Sequence, residues 1–202
     1  SVSFSITSDL DPALNETVVM EVKIVPRSNL NFGVDDYATF TVDELVRTAV
    51  AVNISNNATL TDDIVFSLYT DSDWSWGWNM QNVNGNEAFT TLAAGTQTYV
   101  YLWVDVPAVE NGAPLAETGP RFILSAISGL DKNVETWTFD LLMNEKKNAS
   151  IDGLESSLTV APNQDGRLQA VVRNVGNTAN TLNITLQGPV SYTHLTLPTR
   201  RF

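Results

Sequence analysis

Hydrophobic positions recur at every second residue along most of the chain. Val18, Met20, Val22 and Ile24 alternate with Val19, Glu21, Lys23 and Val25. Val100, Leu102, Val104 and Val106 alternate with Tyr99, Tyr101, Trp103 and Asp105. Ile64, Phe66 and Leu68 form another such face, as do Phe122, Leu124 and Ala126, and then Trp137, Phe139, Leu141 and Met143. A period of two sends successive side chains to opposite faces of an extended backbone, so each run predicts a half-buried strand. The runs are rich in β-branched and aromatic residues, which fit a pleated surface. Asn84-Gly85, Asn111-Gly112, Ser128-Gly129, Asp165-Gly166 and Gly176-Asn177 punctuate them as turns. The best helix candidate is only a short stretch at 43–46, and no helix is assigned there. Many short strands with regular punctuation predict an antiparallel β-sandwich.

Two patterns occur twice. Asn53-Ile-Ser-Asn56 ends one apolar strand and precedes Ile64, Phe66 and Leu68; Asn174-Val-Gly-Asn177 ends another and precedes Leu182, Ile184 and Leu186. Residues 14–26 and 92–107 each give a turn, an alternating strand and a terminating proline. Recurrence at this spacing fits tandem sandwich domains of about 100 residues. The Asn-x-Gly-Asn at Asn174, the Leu-led strand that Val-Pro closes at 92–107, and the Gly-led strand at 119–128 resemble the CARDB and NPCBM-associated class of immunoglobulin-like domains. The first copy departs from that pattern, with Ser55 where glycine is usual. The resemblance covers about 39–188. It implies a complete immunoglobulin-like sandwich over 39–145 and the first strands of a second, truncated one over 146–188, with the junction at Lys146-Lys147-Asn148. Residues 1–38 would then be strands of a preceding domain or an extension.

Composition narrows the function. Of 202 residues, 43% are hydrophobic, enough for a packed core, and the formal net charge is −12. An acidic chain repels phosphate backbones, so nucleic acid and anionic membrane are poor partners. The chain has no cysteine, which excludes disulfides, thiolate nucleophiles and cysteine-ligated zinc. No apolar run of about 18 residues exists that could span a membrane as a helix. The one histidine, His194, falls in a segment of separate origin, described below, so a Ser-His-Asp arrangement is not expected. Paired carboxylates remain chemically possible among 23 acids, although solvated sandwich faces account for them.

Three of the five tryptophans alternate in Asp71-Ser-Asp73-Trp74-Ser-Trp76-Gly-Trp78. On a strand, Trp74, Trp76 and Trp78 would share one face. Exposed, they would make a sugar-stacking platform; buried, they would be core or rim. Asp71 and Asp73, with Asp62 and Asp63, offer oxygen ligands for Ca²⁺, without the glycine and terminal glutamate of an EF-hand loop. Solvated acidic turns explain them equally, and no metal or cofactor is assigned. Asn-x-Ser/Thr acceptors occur at Asn15, Asn53, Asn57, Asn148 and Asn183, close to the ~3–4 that chance gives in such a composition.

Residues 190–200 read VSYTHLTLPTR and resemble a translated sequencing adapter, with Pro189 consistent with the preceding codon. Residues 189–202 are therefore expected to be a non-native tail, with native sequence ending near Gly188. Ser1 in place of Met suggests that the N-terminus is cut as well. The sequence thus points to a non-catalytic immunoglobulin-like module of an exported or cell-surface protein, a spacer or an adhesion domain facing a protein or polysaccharide surface. The alternative is a carbohydrate-binding accessory module of a secreted hydrolase. The tail reading makes a direct prediction. A chain ending at Gly188 should melt at the same temperature as the full chain, and a drop of several degrees in a calorimetric scan would show the tail to be an integrated strand.

Overall fold

The computed structural model describes residues 2–153, 157–185 and 187. The tail at 189–202, with Leu186 and Gly188, lies outside the described residues. All regular elements among the described residues are strands: β1 (Val2–Thr7), β2 (Asn15–Met20), β3 (Leu30–Phe32), β4 (Tyr37–Val42), β5 (Arg47–Asn56), β6 (Asp62–Thr70), β7 (Trp76–Trp78), β8 (Val83–Asn84), β9 (Glu87–Leu92), β10 (Gln97–Asp105), β11 (Arg121–Ser128), β12 (Val134–Met143), β13 (Ala149–Asp152) and β14 (Val171–Asn174). The stretch at 43–46, the best helix candidate in the sequence, is a turn. Leu45 sits there at φ 58° and donates its N–H to the Val106 carbonyl, so the chain reverses before a helical turn can form.

β3, β5, β10 and β7 form one sheet, and β4, β12, β11, β6, β9 and β8 form the other. The two make an immunoglobulin-like β-sandwich. Pairing is antiparallel except where β4 runs parallel to β12, with Tyr37 opposite Thr138 and Val42 opposite Met143. The sandwich takes in residues ahead of 39: β3 pairs with β5, and the Ser28 N–H bonds to Asp131 in the β11–β12 turn. Residues 28–38 therefore belong with this sandwich, because their backbone groups find their partners there.

The alternating faces point inward as their period requires. Val50, Val52 and Ile54 with Val100, Leu102 and Val104 meet Ile64, Phe66 and Leu68, Phe122 and Leu124, and Trp137, Phe139 and Leu141. Phe122 stacks on Phe139 at 5.0 Å between centroids, and Trp137 lies 4.9 Å from Phe139, so a run of aromatic rings fills the middle of the core. At one end the Asp62 carboxylate is fully buried. It accepts 2.6 Å from the Ser128 hydroxyl and 2.9 Å from the Gly129 N–H, tying β6 to the β11–β12 turn.

Outside the sandwich stand two small antiparallel pairs, β1–β2 and β13–β14. Both repeat local geometry found within it. In the β1–β2 turn, Leu10 N–H bonds to Ser8 Oγ and Ala13 N–H to Asp11 Oδ1; in the β11–β12 turn, Leu130 N–H bonds to Ser128 Oγ and Asn133 N–H to Asp131 Oδ1. At the other end, Asn174 Nδ2 donates to the Thr178 carbonyl and Val175 N–H to the Asn148 carbonyl. Asn56 Nδ2 donates likewise to Leu60 and Asn57 N–H to Asn29. The structural equivalent of Asn174 is therefore Asn56, not Asn53, which corrects the register of the recurring motif. Leu182 and Ile184 belong to no strand among the described residues.

Two outcomes follow from this packing. Asp62→Ala leaves the buried Ser128 hydroxyl and the Gly129 N–H without their acceptor and should cost roughly 2–4 kcal/mol in urea unfolding. The second concerns acid. Ser28's backbone N–H, then its hydroxyl, and Asn133's N–H hold the Asp131 carboxyl down at about 2. The Arg121 guanidinium, assisted by Tyr37, holds Asp140 below the usual carboxylate range. A depressed folded-state pKa contributes stability that is present above the unfolded value near ~4 and is lost as pH falls through the folded value. Stability should therefore decline between about pH 4 and 2, and Asp131→Asn should flatten that decline in urea melts across the same range.

Candidate functional site

The tryptophan row does not form a platform. Trp74 precedes β7 and is 8% exposed, part of the core. Trp76 and Trp78 lie opposite Val104 and Leu102, both inward residues, so their rings turn toward the sandwich interior and pack against the core. They meet edge to face at 5.8 Å. The reason is register: β7 is the edge of the four-stranded sheet, and its partners on β10 set which face its odd and even positions take.

The outward face of that sheet carries a different aromatic row. Tyr99, Tyr101 and Trp103 alternate with the buried positions of β10. Tyr99 and Tyr101 are 52% and 44% exposed, their centroids 5.9 Å apart and their planes tilted by 32°. Asn53, Ala51 and Ala49 of β5 lie directly across from Tyr99, Tyr101 and Trp103. Gly77 of β7 lies on the other side of Trp103, where a Cβ would come within 2.6 Å of the indole. Glycine at 77 thus lets the ring lie over the neighbouring backbone. Arg47 covers the ring with its guanidinium carbon 3.9 Å from the centroid. Asp105 holds that guanidinium with two hydrogen bonds, at 2.7 and 2.8 Å, which push the Asp105 carboxyl down and Arg47 up. The sequence pattern contains this row, as the outward half of the β10 alternation.

The acids considered as Ca²⁺ ligands are not brought together. Asp62 is engaged by Ser128 and Gly129, and Asp63 accepts the Thr91 hydroxyl at 2.6 Å. Among the described residues no group of three or more metal-ligating side chains converges.

A shallow hollow of about 610 Å³ lies where the sandwich meets the β13–β14 segment, lined in part by Leu115, Glu117, Glu145 and Thr178. Lys147 and then Thr178 hold the Glu145 carboxyl below its usual range. Beside this hollow, Asn177 is 2% exposed and bridges three stretches of chain. Its side chain accepts from Lys146 N–H and donates to the Asn144 carbonyl, and its own carbonyl accepts from Ala116. Gly176 packs against the Lys146 carbonyl where no Cβ would fit. Lys146 in turn pairs with Glu44, whose carboxyl is lowered by Lys146 and by the Val109 N–H.

No known protein family matches the sequence, and no curated protein does. Solved structures are similar to part of it. PapD-like domain 7 of human CEP192 is 9% identical, with a TM-score of 0.37, over 62% of this chain and 92% of that one. WR4, a C. elegans MSP family member, is 5% identical, with a TM-score of 0.33, over 57% of this chain and 96% of that one. The secreted serine protease VesC from Vibrio cholerae is 9% identical, with a TM-score of 0.36, and the match spans 22% of that chain.

The two aromatic rows should have opposite mutational signatures. Trp74→Ala empties a core site and should cost about 3–5 kcal/mol. Tyr99→Ala removes an outward ring and should stay within roughly 0.5 kcal/mol. Urea unfolding of both variants checks the assignment of faces.

Proposed function

We propose that this chain is a non-catalytic immunoglobulin-like module of an exported or cell-surface protein, acting as a spacer or adhesion domain within a tandem array. One observation carries the reading: the hydrogen-bond geometry of the sandwich's closing turn recurs at the N-terminal hairpin, and that of its opening strand pair recurs at β13–β14. The hairpin is then the end of a preceding unit and β13–β14 the beginning of a following one. Repetition of one fold gives reach without new chemistry, since each unit adds a fixed length. The resemblance to CARDB domains supports the cellular setting.

A spacer must also resist bending, and the clasp at Asn177 meets that need. It ties the start of the next unit to Asn144, Lys146 and Ala116 of the sandwich. The absence of cysteine makes a clean test possible. Spin labels on cysteines placed at the exposed Glu87 and Gln169 should give a narrow distance distribution by pulsed dipolar spectroscopy. Asn177→Ala should broaden it without moving the sandwich's melting transition. A distribution already broad in the parent chain would overturn the spacer reading.

A further inference from the structure

The outward face of β5 and β10 has features that a spacer does not require. Tyr99 and Tyr101 present two large rings to solvent at neighbouring outward positions of one strand, each beside a small or polar residue rather than a covering side chain. Ala51 keeps the β5 side of Tyr101 low, while Ala49 and Gly77 flank Trp103. The rings therefore stand clear of their surroundings. At one end, the Arg47–Asp105 pair presents hydrogen-bonding groups, with side chains 59% and 41% exposed. At the other end, Asn53 lies across from Tyr99. Apolar flat surface flanked by fixed polar groups is the chemistry that recognises a pyranose, whose ring has an apolar face and whose edge is hydroxylated.

Charge selects among polymers. The chain is strongly acidic, with net charge −12. Along the outward positions of β5 and β10 the only charges are Arg47 and Asp105, and they neutralise one another. An anionic polymer would find no free cation on this strip and a repulsive field around it. A cationic polymer would find no free carboxylate there. An uncharged polyhydroxyl chain matches the strip on both counts. We infer that the Tyr99–Tyr101–Trp103 face of the four-stranded sheet binds a neutral polysaccharide, stacking sugar rings on Tyr99 and Tyr101 and offering Arg47 and Asp105 to hydroxyls at the Trp103 end. Gly77 acts as a positioning residue, since its missing Cβ lets the Trp103 indole lie on the sheet, where Arg47 also covers it. The inference goes beyond the spacer reading and does not depend on it.

Native affinity electrophoresis of the whole chain tests it. Gels containing soluble β-glucan, xyloglucan or galactomannan are compared with polymer-free gels and with gels containing hyaluronan. Retardation is expected in at least one neutral polymer and none in hyaluronan. Tyr99→Ala with Tyr101→Ala should abolish it, roughly a 2- to 10-fold loss of affinity per ring. Tyr99→Phe with Tyr101→Phe should retain it, because stacking needs the ring and not the hydroxyl. Tyr69→Ala, which removes a 66%-exposed ring on the other sheet, should leave it unchanged. Ala51→Glu, which places a charge beside Tyr101 without opening the core, should abolish it with no change in melting temperature. That variant decides the matter if the double alanine variant unfolds. No retardation in any of the three neutral polymers, or retardation that survives Ala51→Glu, would overturn the proposal. So would a dimer in sedimentation that Ala51→Glu dissociates while the polysaccharides leave the chain unretarded, which would assign the strip to a protein partner.

Discussion

The antiparallel pairing of β5 with β10 is the constraint on which the rest depends. It runs the full length of β10, from Gln97 opposite Ser55 to Asp105 opposite Arg47. A strand's side chains alternate with a period of two, so this single register fixes both surfaces of the sheet at once. Val100, Leu102 and Val104 go into the core, and Tyr99, Tyr101 and Trp103 necessarily go out. A slip by one residue would bury three aromatic polar-tipped rings and expose three valine and leucine side chains. The same register passes on to β7, where it decides that Trp76 and Trp78 face in and Gly77 faces out. Core, rim and outer strip are therefore one structural decision.

Polar groups at the ends of the strands hold that decision in place. Asn56 is fully buried and donates from its side chain to both the Leu60 and Leu92 carbonyls. It thereby closes the turn after β5 and pins it to the end of β9. Asp62 does the corresponding work between β6 and the β11–β12 turn. Each group is stabilising only because its partners are complete, since a buried acceptor or donor left alone costs about 1–3 kcal/mol. Such posts select one register where apolar contacts alone would tolerate neighbours.

The β13–β14 segment is held to the sandwich by the same device. Asn177 satisfies backbone groups from Asn144 and Lys146 with its side chain and from Ala116 with its carbonyl. Backbone groups at a linker otherwise bond to water, and the linker bends freely. Here they are bound to one buried amide instead. The ion pair of Lys146 with Glu44 lies on the same joint and draws the linker toward the turn after β4.

The sequence by itself determined the class of fold and most of the core. Period-two alternation is a local property, and the inward faces at Val100–Leu102–Val104, Phe122–Leu124 and Trp137–Phe139–Leu141 could be read from it. It also contained both the tryptophan row and the tyrosine row, but alternation says only that two faces differ. Which face meets the other sheet depends on strand partners far away in the chain, and so Trp74, Trp76 and Trp78 looked available for binding until β7 was placed against β10. The recurring asparagine motif was visible, while its true register, Asn56 with Asn174, rests on hydrogen bonds that no spacing reveals. Only the tertiary structure brought Ser28 to Asp131, set β4 parallel to β12, and stood Tyr99 and Tyr101 beside Asn53 and Ala51 and Trp103 over Gly77. Those outcomes come from long-range pairing, where side chains meet across the sheet and between sheets, and local pattern carries no information about that choice.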